Sequence, residues 1–205
     1  PKLGKTTLVR QLEKSVLRGQ KFLDRDVVKG SVLHYSFDEK ARTAKRHYDK
    51  LGLTKDDPMY LHFGVATNED YKLELEEDLL RLKPSLVVVD TLFDMINAEN
   101  VNDYGIIKRE LAFYNNLAEK TNAHILFIHH TNKPSKEYGS GSGHSILGST
   151  AIFGSVDCAL IFDRDKDNKE LRTIAVSGRG VEGFDKKVLK FNKDKQIYTI
   201  DEVEF

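Results

Sequence analysis

The chain has one cysteine, Cys158, among 205 residues. A single thiol excludes an internal disulfide framework and a multi-cysteine metal site, and it agrees with a reducing, cytoplasmic setting. Proline is scarce at four residues, and with 40% hydrophobic and 31% charged residues the composition excludes a collagenous or globally disordered chain. Charge of one sign is not in excess: lysine plus arginine and aspartate plus glutamate each count 32. No overall field therefore draws the molecule to nucleic acid or anionic lipid, and any such binding has to be local. No apolar run approaches the roughly 20 residues that span a bilayer, and the opening residues do not read as a signal peptide, so no membrane partner is expected. Repeats and low-complexity tracts are lacking, apart from a Gly/Ser-rich stretch at 139–149 that reads as a loop. The length suits one domain over 1–205, because a chain of this size buries roughly 70% of its unfolded surface in one core.

What is present alternates between strand and helix patterns. Leu8, Leu12 and Val16 share one side of a helix over 5–18 that Gly19 can terminate. A β-rich run at 31–37 precedes a charged helix at 40–51, and Pro58 precedes a short strand at 59–65. Leu75, Leu79 and Leu82 mark an amphipathic helix that Pro84 ends. The run LVVV at 86–89 has no polar alternation, which is how a strand covered on both faces reads, so it belongs inside a parallel sheet. Ile107, Leu111, Tyr114 and Ala118 give another helix, and HILFI at 124–128 a second apolar strand. Strand patterns at 156–162, 171–177, 187–191 and 197–200 close the chain. The pattern predicts an α/β fold, a doubly wound and mostly parallel sheet with antiparallel strands toward its C-terminal side.

Four elements carry candidate chemistry. Pro1, Lys2, Leu3, Gly4, Lys5, Thr6 and Thr7 match the end of a phosphate-binding loop, GxxxxGK[ST], whose first glycine lies ahead of Pro1. Such a loop wraps backbone N–H groups around the β-phosphate of ATP, while the lysine reaches the β- and γ-phosphates and the following hydroxyl, here Thr6, ligates Mg2+. The motif needs a strand before it, so the expectation is a domain without its first strand and the start of the loop. Asp90 ends the strand LVVVD, where a sheet opens its carboxyl edge toward ligand, and its carboxylate suits the water on Mg2+ or the Thr6 hydroxyl. Asp38 and Glu39 follow the run SVLHYSF, and one of them is placed to polarise the water that attacks the γ-phosphate. Successive strand residues point to opposite faces, so only one of the pair is expected to serve. The fourth element is HHTNK, 129–133, whose adjacent histidines aim in opposite directions and are poorly suited to chelating one zinc ion. A polar side chain there suits a hydrogen bond to the γ-phosphate.

Taken together, these residues resemble the RecA-like P-loop ATPases of the hexameric replicative helicase type, most closely in pattern the RepA-type helicases of plasmids and their AAA-type relatives in phages and mobile elements. The resemblance runs in order through GKTT, YSFDE, VVVDT, HHTNK, GSTAIFGSVDCALIF and SGRGVEG, and HHTNK with the segment after it is its most specific part. It implies Lys5 and Thr6 at the phosphate and magnesium positions, Asp90 as the second Walker acid, Asp38 where the family usually has a catalytic glutamate, and His130 as the γ-phosphate sensor. It also implies Arg179 as an arginine finger completing the neighbouring subunit's site in a hexameric ring, although Ser177 stands where DnaB-type helicases often carry a lysine. The segment from Pro134 to Ser149 coincides with the family's central-channel loop, which makes single-stranded DNA the implied partner and Lys136, Tyr138, Ser140, Ser142 and His144 its candidate contacts, with 97–104 as a second channel loop. The implied function is ATP-driven movement on single-stranded DNA during replication. The alternatives are a RecA-like ATPase of recombination or regulation that does not unwind, and a low-turnover nucleotide-binding module.

Overall fold

Lys5–Arg18 forms the first helix, α1, in a computed structural model that describes residues 3–64, 70–96, 103–129, 150–178 and 186–201. The helix is bracketed by two glycines in the left-handed region, Gly4 at φ 95° and Gly19 at φ 64°, where a side chain is disfavoured. The amide of Gly19 turns back to the carbonyls of the last turn, so the chain leaves α1 where the apolar pattern stops.

Four five-residue strands follow with helices between them: β1 (Val32–Ser36), α2 (Ala41–Lys50), β2 (Met59–Phe63), α3 (Asp70–Leu82), β3 (Leu86–Asp90), the short α4 (Leu92–Met95), α5 (Tyr104–Thr121) and β4 (His124–Ile128). They form a wholly parallel sheet in the order β2-β1-β3-β4. The aliphatic run of β3 lies between two neighbours with every residue buried, as its lack of polar alternation predicts.

Alternation along the strands divides the core into two layers. Leu33, Tyr35, Val87 and Val89 pack against α3, α4 and α5, together with Ala151 and Ile152 of α6 (Thr150–Ser155). Val32, Leu86 and Val88 face the other way, onto Val16 and Leu17 of α1 and Ala44 and Tyr48 of α2. Helices thus cover both faces, which is the doubly wound arrangement.

The C-terminal strands β5 (Cys158–Arg164), β6 (Arg172–Gly178), β7 (Lys187–Asn192) and β8 (Ile197–Ile200) form a separate antiparallel sheet in chain order. It packs on α1 through Leu8, Ile174, Leu189 and Tyr198. Among the described residues no ladder joins the two sheets. Between them lies an apolar cavity of about 250 Å³, lined by Leu12, Phe22, Leu126, Leu160, Ile174 and Ile200 among others. No described helix is long and apolar enough to cross a membrane.

Candidate phosphate and magnesium site

The turn at Gly4 starts α1 beside the carboxyl end of the parallel sheet, and this brings three predicted residues together. Lys5 Nζ donates to the carbonyl oxygen of His129 at 2.8 Å, just beyond β4. Thr6 Oγ1 donates to Asp90 Oδ2 at 2.9 Å. Asp90 reaches that hydroxyl because it shares the parity of Leu86 and Val88, the β3 side chains that face α1. Its own carbonyl accepts from the Phe37 amide at 2.9 Å, tying the end of β1 to the end of β3. Burial lowers the pKa of Lys5, and Asp90 and Asp163 oppose that shift. Leu3 and Thr7 flank these residues, half-buried, whereas Pro1 and Lys2 lie outside the described residues.

Asp38 and Glu39 do not lie on a strand. β1 ends at Ser36, so the pair occupies the bend that follows, and strand alternation is not what separates them. The separation comes from α1 and α2. The Arg10 guanidinium forms an ion pair with Glu39, and His47 Nε2 lies 3.7 Å from the other Glu39 oxygen, while Asp38 is exposed. Arg10 is buried and also sits 5.4 Å over the ring of Tyr48.

Behind this pair lies a polar cluster inside the α1–sheet core. Fully buried Glu13 accepts from Tyr48 Oη at 2.9 Å on one oxygen and meets His34 Nδ1 at 2.6 Å on the other. Three elements, α1, β1 and α2, are thereby pinned by hydrogen bonds in a water-poor layer, where such bonds are strong and their loss is expensive. Sequence reading passed over Arg10, Glu13, His34 and Tyr48 because nothing local marks them: their partners are up to 35 residues away. Asp163, whose charge acts on Lys5, was also missed, since it stands in a strand of ordinary pattern.

His130, Arg179, Lys136, Tyr138, Ser140, Ser142 and His144 all lie outside the described residues, as does most of the 97–104 segment. Of HHTNK only His129 is placed: its carbonyl takes Lys5, and its ring meets Phe93 edge-on at 4.8 Å between centroids.

The family model of the AAA domain matches residues 1–136, and the chain belongs to that family. No curated protein matches it. Membership makes this a nucleotide-binding ATPase domain of the phosphate-loop kind, in agreement with the parallel sheet and the Lys5–Thr6–Asp90 arrangement. The donor set also fits Mg2+. A threonine hydroxyl and a carboxylate are hard oxygen ligands, and Mg2+ takes one or two of these and leaves its other positions to water and phosphate. Among the described residues there is no cluster of three or more His, Cys, Asp or Glu side chains that could hold a metal ion, and Mg2+ with a nucleotide requires none.

Proposed function

We propose that this chain is the ATP-hydrolysing motor domain of a ring-forming helicase of the RepA or DnaB type, coupling hydrolysis to movement along single-stranded DNA. The observation that carries the reading is the hydrogen bond from Lys5 to the His129 carbonyl, beside the Thr6–Asp90 pair. It joins Lys5, the phosphate-binding candidate, to the first residue of HHTNK. Lys5 and the loop amides bind the phosphates, and Thr6 and Asp90 hold Mg2+, which supplies charge neutralisation when bound. Exposed Asp38 orients the attacking water, and Arg179 of one subunit completes the site of the next. His130 senses the γ-phosphate, and the chain after it carries the change to the DNA-contacting segment 134–149.

A separate observation favours the low-turnover module as a second reading: Glu39 is held by Arg10 and leaves one shorter carboxylate, Asp38, for the water. ATP hydrolysis measured with and without single-stranded oligonucleotide separates the two. The motor reading expects DNA to stimulate turnover and a strand-displacement assay to show unwinding; tight ATP binding without turnover would leave the module. Turnover without strand displacement would leave the recombination or regulatory ATPase.

A further inference from the structure

The phosphate loop is gripped from behind by the antiparallel sheet. At Gly4 an added Cβ would overlap Tyr198 Oη, so the tyrosine hydroxyl of β8 rests directly on the glycine that turns the loop into α1. One residue earlier, the Leu3 carbonyl accepts from Arg172 Nε of β6 at 3.0 Å, and that guanidinium is steadied by the carbonyls of Lys169 and Leu171. Nearly two turns into α1, the Gln11 side chain donates from Nε2 to the Tyr198 carbonyl at 2.9 Å and accepts the Tyr198 amide on Oε1 at 2.7 Å. A side-chain amide thus does for β8 what a neighbouring strand does, satisfying both backbone groups of one residue. Phe162 and Phe191 pack on the Tyr198 ring at 5.4 and 4.9 Å between centroids, so its hydroxyl has little freedom to leave Gly4. Burial raises the pKa of Tyr198 and Arg172 moderates the rise, which keeps the phenol protonated at neutral pH.

We propose that Tyr198, Gln11 and Arg172 are positioning residues for the phosphate loop, through which the C-terminal sheet holds Leu3 and Gly4 in the conformation that presents backbone N–H groups to a nucleotide phosphate. The proposal rests on the ATPase reading above. By linkage the grip works in both directions: a phosphate that fixes the loop also tightens β8 onto α1.

The test uses the full chain with a fluorescent ATP analogue and Mg2+, read by nucleotide Kd, melting temperature and amide hydrogen exchange. Gln11→Ala and Arg172→Gln are expected to weaken nucleotide binding about tenfold, the size of losing a hydrogen bond at a charge-bearing site, with Arg172→Lys recovering part of it. In the wild type, nucleotide is expected to slow exchange of the Tyr198 amide several-fold, a readout that does not depend on any variant folding. A purely structural role would lower the melting temperature and leave Kd and this nucleotide-dependent protection unmoved, and that result overturns the proposal. Wild-type protein that binds no nucleotide removes the ATPase reading and this proposal with it, whereas wild-type binding with unchanged variants removes this proposal alone.

Discussion

The two sheets meet α1 in different ways. Toward the parallel sheet, α1 presents Arg10 and Glu13 to partners on β1, α2 and the bend after β1, and Thr6 to the end of β3. Toward the antiparallel sheet it presents Leu8 in an apolar seat and one polar clamp, Gln11. Charge is therefore concentrated on the side where phosphate chemistry is expected, and packing on the side that holds the loop still. One helix can serve both because its faces repeat every 3.6 residues, so Arg10 and Glu13, three apart, share one side while Gln11 between them points to the other.

Substitutions on the parallel-sheet side should move chemistry, and those in its buried cluster stability. Asp38→Asn is expected to reduce the ATP hydrolysis rate by about 10²–10⁴, the range for losing a general base, and Glu39→Gln far less, because Arg10 already engages that carboxylate. Equal losses in steady-state assays of the two variants would break the assignment. Glu13→Ala, which strands His34 and Tyr48, should lower unfolding free energy by about 3–5 kcal/mol in urea titration. Thr6→Val removes the hydroxyl bonded to Asp90 and should weaken Mg-dependent nucleotide binding about tenfold or more, with the melting temperature nearly unchanged.

The smallest expected effect is one of pH. Burial, and Arg10 beside it, hold the His47 imidazole below its ordinary value of 6.5, against the pull of Glu39. Just below pH 6.5 the folded state binds fewer protons than the unfolded state, so stability drops as the pH falls through that value and levels off below the folded pKa. Solvent screening keeps the contribution small. The gap between wild type and His47→Gln, measured as melting temperature from pH 7.5 to 5.5, should shift in that direction; a gap independent of pH would show that His47 titrates as it does in the unfolded chain.

Legibility followed the range of the interactions. The bounds of α1, β4 and β8 are those the residue pattern predicts, because their apolar periodicity and flanking turns are local. The helix read at 40–51 and the strand read at 59–65 are shorter, at Ala41–Lys50 and Met59–Phe63. The helices α4 and α6 escaped notice because four and six residues are too few to show a helical period, and Gly154 interrupts the second. The meeting of Lys5, Thr6 and Asp90 was legible because each sits at a strand or helix end with a fixed role in the motif. Gln11 and Arg172 were not, since a glutamine paired with a distant backbone and an arginine bonded to a carbonyl 169 residues away leave no trace in local composition.

On the proposed function, Lys5, Thr6 and Asp90 form one site for a magnesium nucleotide. Calorimetric titration of ATP into the full chain, with Mg2+ or with chelator, and into Lys5→Ala, tests it most directly. Binding is expected to need Mg2+ and to weaken by roughly a hundredfold without the lysine, the size of losing a half-buried charge-assisted contact. Equal affinity in the variant, or heats indifferent to Mg2+, would contradict it.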